Sequence, residues 1–128
     1  MSEGKKTILI VEDETAMREA LVEKFKKSDF ETFNAPDGEE GLKIALKEKP
    51  DILMFDILMP KLDGISATKK IRESSTWGKE VPIIMLTNLS DPDSVSEVAS
   101  YGVFDFLVKT DWRLEDVVAL VKKKLGMV

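Results

Sequence analysis

Residues 52–60 read ILMFDILMP, a run in which Asp56 is the one charged side chain. Consecutive apolar positions without alternation are typical of a strand that is buried on both faces of a parallel sheet. Three other runs have this form and also stop at polar residues: ILIV before Glu12 and Asp13, IIML before Thr87, and FLV before Lys109. These runs predict buried parallel strands, and the weaker alternating run FETFN (residues 30–34) predicts a strand at the sheet edge.

Segments with the helical spacing of apolar residues follow each of these strands. The predicted inward-facing positions, grouped by helix, are as follows: Met17, Ala20, Leu21 and Phe25 in the first helix; Leu42, Ala45 and Leu46 in the second; Ile65, Thr68 and Ile71 in the third; Val95, Val98 and Ala99 in the fourth; and Leu114, Val117, Val118, Val121 and Leu125 in the fifth. Pro50 ends the second helix, while Asp91 caps the fourth and Gly102 closes it. The order βαβαβαβαβα predicts one α/β domain over residues 1–128, with a parallel sheet and helices on both faces.

The composition of the chain excludes several classes of function. Its 128 residues contain no cysteine and no histidine, which excludes disulfides, thiolate chemistry and imidazole chemistry. No apolar run approaches the ~20 residues of a membrane span, and the N-terminal run is too short for a signal peptide. The net charge of −5 argues against binding to nucleic acid or to an anionic membrane. We therefore expect a cytoplasmic protein.

The polar residues that end the predicted strands fall where parallel sheets bind their ligands, beyond the carboxyl ends of the strands. If the first and third strands are neighbours, Glu12, Asp13 and Asp56 converge at a spacing of about 4.8 Å. Two carboxylates at that distance repel each other by roughly 3 to 4 kcal/mol at an effective dielectric constant of 20. A hard divalent cation offsets this repulsion, and a set of oxygen ligands suits Mg²⁺ or Mn²⁺ better than Zn²⁺.

Thr87 and Lys109 extend this predicted metal site into one that can accept a phosphoryl group. The formal charges of three carboxylates, one divalent cation and Lys109 cancel, which leaves a neutral site for a dianion. A carboxylate can act as the nucleophile that forms an aspartyl phosphate, and the reaction otherwise needs positioning and charge neutralisation. The Thr87 hydroxyl can donate a hydrogen bond to one phosphoryl oxygen, and Lys109 can pair with another.

These motifs together resemble the receiver domain of two-component response regulators. They are the acid pair in ILIVEDE, the acceptor motif DILMPKLDG, the hydroxyl in IIMLT and the lysine in FLVK, in the order of the family. The resemblance implies a flavodoxin-like, doubly wound five-stranded sheet with strand order 2-1-3-4-5. It also implies phosphoryl transfer from the phosphohistidine of a partner histidine kinase or phosphotransfer protein, followed by slow self-dephosphorylation and no turnover of an external substrate.

Residue roles follow from the resemblance position by position. Asp56 is the phosphoryl acceptor; Asp13 binds Mg²⁺ directly, Glu12 binds it through water, and the Leu58 carbonyl completes the protein ligands. The phosphoryl group is bound by Thr87 and Lys109, and Phe106 is the switch residue whose ring turns inward. Phosphorylation would alter the face formed by the fourth helix, the fifth strand and the fifth helix, which controls the binding of a downstream protein target. No DNA-binding half follows Leu125, so we expect output through protein contacts.

The sequence departs from the family pattern near the site. In the family, the lysine is usually followed by a proline in a cis peptide bond, and here Thr110 takes that position. A cis bond before a non-proline residue costs about 2.5 to 4 kcal/mol. We therefore expect a trans bond after Lys109 and a rearranged loop through Trp112. Asn88 replaces the usual small residue and is expected to crowd the phosphoryl path. Leu58 and Leu89, both apolar, predict slow self-dephosphorylation.

Two other functions fit parts of the sequence. A metal-dependent phosphohydrolase also uses an aspartate nucleophile, but it typically carries a second aspartate two residues later, where this chain has Leu58. A structural pseudo-receiver would bind partners without phosphorylation. The complete set of acids, hydroxyl and lysine argues against it, and the departures at Asn88 and Thr110 keep this alternative open.

Overall fold

The structure, a computed structural model, describes residues 5–59, 61–87, 92–103, 105–108 and 113–127. Its centre is a five-stranded sheet in the order β2-β1-β3-β4-β5. The strands are β1 (Thr7–Val11), β2 (Glu31–Ala35), β3 (Ile52–Asp56), β4 (Ile83–Thr87) and β5 (Asp105–Val108). Every neighbouring pair is parallel. The predicted doubly wound sheet, its strand order and the edge position of the alternating strand β2 are therefore confirmed.

The described residues form six helices, one more than the sequence predicted. They are α1 (Thr15–Lys27), α2 (Gly38–Glu48), α3 (Gly64–Arg72), α4 (Thr76–Glu80), α5 (Pro92–Ala99) and α6 (Leu114–Lys124). The additional helix is α4, whose N-cap Ser75 accepts a hydrogen bond of 3.2 Å from the Gly78 N–H. Its five residues are too few to show an amphipathic period. The predicted fourth and fifth helices are accordingly α5 and α6.

The core is divided into two layers by the sheet, because alternate residues of each strand point to opposite faces. On one face Leu9 and Val11 of β1 pack in a cluster with residues of α2, α3 and α5. On the other face Ile8 and Ile10 pack in a cluster with residues of α1 and α6. Both faces are thus covered by helices, as predicted.

The prediction for the inward face of α2 was wrong at Leu46, which is 40% exposed. Small residues form the buried face of this helix instead, namely Gly38, Gly41 and Ala45. A Cβ atom at Gly41 would lie 2.6 Å from a methyl group of Val11 on the underlying strand. The close approach of α2 to the sheet turns the larger side chain of Leu46 outward.

The ends of the helices follow the sequence signals where the structure describes them. The side chains of Asp37 and Asp63 cap α2 and α3 by accepting N–H hydrogen bonds of 2.8 Å. Gly102, predicted to close the helix before β5, has a φ of +76° that suits glycine. The predicted cap Asp91 lies outside the described residues. No helix in the described part of the chain combines the length and apolar character needed to cross a bilayer.

Candidate functional site: an acidic cluster at the carboxyl ends of the strands

Pairing of β1 with β3 brings three carboxylates together at the carboxyl edge of the sheet. The register places Val11 opposite Phe55, so the residues that follow, Glu12 and Asp56, are neighbours. One carboxylate oxygen from each of Glu12, Asp13 and Asp56 lies within 4.8 Å of the others. The sequence-predicted acidic set therefore forms one cluster, at the topological position where such sheets bind ligands.

Glu12 and Asp13 differ sharply in their surroundings. Glu12 is fully buried, whereas Asp13 is exposed to solvent. A carboxylate oxygen of Glu12 accepts a hydrogen bond of 2.9 Å from the Glu14 N–H, and its carbonyl accepts one of 2.8 Å from Nη1 of Arg18. Glu12 is thus held in place from within the protein, while Asp13 faces solvent, from which a cation would enter.

Asp56 is the last residue of β3 and is only 4% exposed. Its neighbours Phe55 and Ile57 are also buried, and its Oδ1 accepts a hydrogen bond of 3.3 Å from the Leu58 N–H. Removing a carboxylate from water is costly unless cations or hydrogen bonds compensate for it. A cation at this cluster would offset the mutual repulsion of the Asp56 and Glu12 carboxylates.

Described residues on both sides of Pro60 in the loop between β3 and α3 make close backbone contacts. The Gly64 N–H donates a hydrogen bond of 2.8 Å to the Ile57 carbonyl. A Cβ atom at Gly38, the first residue of α2, would lie 1.7 Å from the Leu62 carbonyl oxygen. Between these contacts Leu58 projects outward, with 76% of its surface exposed. The described ends of the loop are thus held in place next to Asp56.

Thr87 and Phe106 lie on the neighbouring strands β4 and β5, and β4 pairs with the strand that carries Asp56. Thr87 is the last residue of β4 and is partly exposed, and it is the register partner of Val108. Phe106 pairs with Met85 and packs, partly buried, against the core cluster that contains Leu53. The predicted roles of Lys109, Asn88, Leu89, Thr110 and Trp112 concern residues that lie outside the described part of the chain.

Sequence reasoning missed Arg18, whose side chain on α1 donates a hydrogen bond to the main-chain carbonyl of Glu12. An arginine in an amphipathic helix normally indicates a solvated face, so its position in the sequence gave no signal of this contact. Arg18 lies six residues after Glu12, and this spacing indicates a contact only when the geometry of the turn between β1 and α1 is known.

The chemistry of the cluster suits a hard divalent cation. All of its donors are carboxylate oxygens, and one of them is solvent-facing. Mg²⁺ and Mn²⁺ prefer such ligands and retain several waters, while Zn²⁺ prefers the histidine and cysteine that the chain lacks. The residues present therefore fit Mg²⁺.

Comparison with known proteins gives the same family throughout. The family model described as the response regulator receiver domain matches residues 8–122. The alkaline phosphatase synthesis transcriptional regulatory protein PhoP of Bacillus subtilis is 36% identical over 104 residues. These residues cover 81% of this chain and 42% of that protein. The chain spans about two fifths of the length of the first curated relatives that it matches.

Solved structures share the fold over nearly the whole chain. The chemotaxis response regulator CheY4 of Vibrio cholerae is 27% identical, with a TM-score of 0.84 and coverage of 93% of this chain and 98% of that one. The receiver domain of the sensor histidine kinase PA1611 from Pseudomonas aeruginosa is 25% identical, also with a TM-score of 0.84. The match covers 96% of this chain and 99% of that one. That structure contains a magnesium ion coordinated in its active site cleft.

Proposed function

Because the chain belongs to the response regulator receiver domain family, a class of phosphorylation-controlled signalling modules, we propose that Asp56 is its phosphoryl acceptor. The observation that carries this proposal is the position of Asp56, buried at the carboxyl end of β3 and within 4.8 Å of the Glu12 and Asp13 carboxylates. A carboxylate held in a fixed, partly dry environment between acids is suited to nucleophilic attack once its charge is balanced. Residues 1–128 act as one such domain in this proposal.

Mg²⁺ would be held by Asp13, Asp56 and the Leu58 carbonyl, with Glu12 acting through water. When bound, the ion supplies charge neutralisation for the phosphoryl oxygens. The chain itself contributes the buried, anchored Glu12 and a fixed backbone at the loop that carries Leu58. Mn²⁺ has the same ligand preferences and would serve in its place.

Phosphoryl transfer to Asp56 requires little covalent chemistry from the protein. A carboxylate oxygen of Asp56 forms a bond to phosphorus as the P–N bond of a phosphohistidine breaks, and the ring, protonated on its other nitrogen, takes the bonding electrons and leaves as neutral imidazole. The donor is a histidine kinase or a phosphotransfer protein, since the chain has no histidine of its own. Thr87 and Lys109 bind the phosphoryl oxygens and orient the group.

The output of the module is a change in the surface formed by α5, β5 and α6. Phosphorylation adds negative charge at Asp56 and draws Thr87 toward the phosphoryl group, which gives the ring of Phe106 room to turn inward. Such a change acts by shifting a pre-existing equilibrium between two conformations. The partner of this surface is a downstream protein in the cytoplasm. The net charge of −5 argues against direct contact of this chain with nucleic acid or membrane.

Incubation with Mg²⁺ and acetyl phosphate is expected to add one phosphoryl group, seen by intact mass. The variant Asp56→Asn should show no adduct because it lacks the nucleophilic carboxylate. Asp29→Asn is a matched control, since Asp29 is highly exposed and its φ of +71° is tolerated by asparagine. Absence of an adduct on the wild type would indicate a pseudo-receiver, and continuous phosphate release without an adduct would indicate a phosphohydrolase.

Decay of the phosphorylated form is expected to be slow, with a half-life longer than seconds. Leu58 is apolar and 76% exposed next to Asp56, so it offers the attacking water no hydrogen-bonding group. Leu58→Asn is expected to shorten the half-life, because its amide can position water near the phosphoryl group. The measurement is the loss of the adduct over time after removal of acetyl phosphate. Loss within seconds from the wild type, with no phosphatase present, would contradict the prediction.

A further inference from the structure

Arg18 reaches from α1 back to the end of β1. Its Nη1 atom donates a hydrogen bond of 2.8 Å to the carbonyl oxygen of Glu12, and the side chain is partly buried. The bond is charge-assisted, which makes it stronger than one between neutral groups. Arg18 thus ties the first turns of α1 to the residue that carries the buried carboxylate of the acidic cluster.

Hydrogen bonds to described residues hold Glu12 from several directions. Its N–H donates to the Ala35 carbonyl over 3.1 Å, which continues the pairing with β2. Its carboxylate accepts from the Glu14 N–H at 2.9 Å, and its carbonyl accepts from Arg18 at 2.8 Å. The peptide group after Glu12 is therefore oriented by Arg18, and that peptide leads directly to Asp13.

We propose that Arg18 is a positioning residue for the acid pair, and that it raises the affinity of the site for Mg²⁺ by fixing the Glu12 peptide. The inference rests on the proposed function of the acidic cluster as a Mg²⁺ site. Mg²⁺ demands near-ideal octahedral geometry, so a small rotation of the backbone between Glu12 and Asp13 misplaces its ligands. Groups that orient metal ligands in this way commonly contribute strongly to affinity.

The sign of the effect separates positioning from simple electrostatics. A guanidinium near the cluster repels Mg²⁺, so removal of its charge alone would tighten Mg²⁺ binding. Removal of a positioning group has the opposite effect and weakens binding. A purely structural role would lower stability and leave the affinity of the folded protein unchanged.

The variant Arg18→Met is suited to this test. Arg18 lines a surface groove between α1 and β2 together with Val22 and Asn34. Methionine keeps much of this contact and removes the hydrogen bond and the charge. The matched control is Lys26→Met, because Lys26 is an exposed cation of the same helix that lines the same groove.

Mg²⁺ affinity measured by isothermal titration calorimetry is expected to fall about 10-fold in Arg18→Met. It should change less than about 2-fold in Lys26→Met, and Arg18→Lys should recover most of the loss, because lysine also donates to a carbonyl. Thermal unfolding of each variant without Mg²⁺ reports its stability separately. Should Arg18→Met fail to fold, Arg18→Gln takes its place in the same titration.

Tighter Mg²⁺ binding by Arg18→Met would overturn the inference in favour of a charge effect. Unchanged affinity in a folded Arg18→Met would overturn it in favour of a structural role. Failure of the wild type to bind Mg²⁺ would overturn both the inference and the proposed metal site. Normal binding by the wild type with an unaffected Arg18→Met would overturn the inference alone.

Discussion

We expect Gly64→Ala to destabilise the protein by about 3 kcal/mol or more, at the upper end of single substitutions. A Cβ atom at Gly64 would lie 2.3 Å from the carbonyl oxygen of Asp56 and 3.1 Å from the Cα of Ile57. Both contacts are with backbone atoms, which cannot rotate away as a flexible side chain can. Alanine normally stabilises a helix relative to glycine, and the crowding reverses that sign here.

The free energy of unfolding in urea measures this effect, and Gly102→Ala is its control. Among the described residues other than its chain neighbours, a Cβ atom at Gly102 would meet no atom within 4 Å, so we expect that variant to carry mainly the cost of a φ of +76°, about 1 kcal/mol. Because the clash displaces the backbone of Asp56, phosphorylation by acetyl phosphate should also fall in any folded fraction of Gly64→Ala. Equal stability of the two variants would contradict this prediction and show that the backbone at Asp56 and Ile57 shifts at little cost in free energy.

The sheet could be predicted from the sequence because its signal is local. Each buried strand is a continuous apolar run, and the order of strands and helices restricts the topology to few choices. The acidic cluster followed from the same reasoning, since Glu12 and Asp56 stand at the ends of strands that the topology makes neighbours. In both cases the local sequence predicts each strand and its polar end, and the parallel pairing of the strands then brings those ends together.

Polar contacts between different elements of the fold could not be predicted because they have no period in the sequence. Arg18 reads as a surface residue of an amphipathic helix, yet it binds the Glu12 carbonyl. The short helix α4 has no apolar stripe and is instead held by Trp77, whose indole N–H donates to the Pro50 carbonyl over 3.0 Å. Leu46 was misassigned because the close packing of Gly41 on Val11 appears only in three dimensions.

Arg72 also makes contacts that have no sequence signal, and they join three segments at the amino ends of the strands, away from the acidic cluster. Its Nε donates to the Tyr101 carbonyl over 2.7 Å, and its Nη1 donates to the carbonyls of Gly78 and Val81 over 2.9 and 2.7 Å. Burial lowers the pKa of the Arg72 guanidinium from its usual value, although arginine stays charged in proteins. The end of α3 is thereby tied to α4, to the start of β4 and to the turn before β5.

Arg72→Met is expected to lower the free energy of unfolding by about 3 kcal/mol, since each acceptor that loses its partner costs about 1 to 3 kcal/mol and part of the site can rehydrate. Urea unfolding measures the loss, and Arg113→Met, at an exposed arginine, should stay within about 0.5 kcal/mol of the wild type. Because Arg72 lies at the opposite end of the strands, Mg²⁺ affinity of the folded variant should not change.

A stable Arg72→Met would mean that water replaces the guanidinium without loss of stability. The same substitution at Arg18 should change affinity more than stability, so the two arginines are expected to separate support of the fold from support of the site.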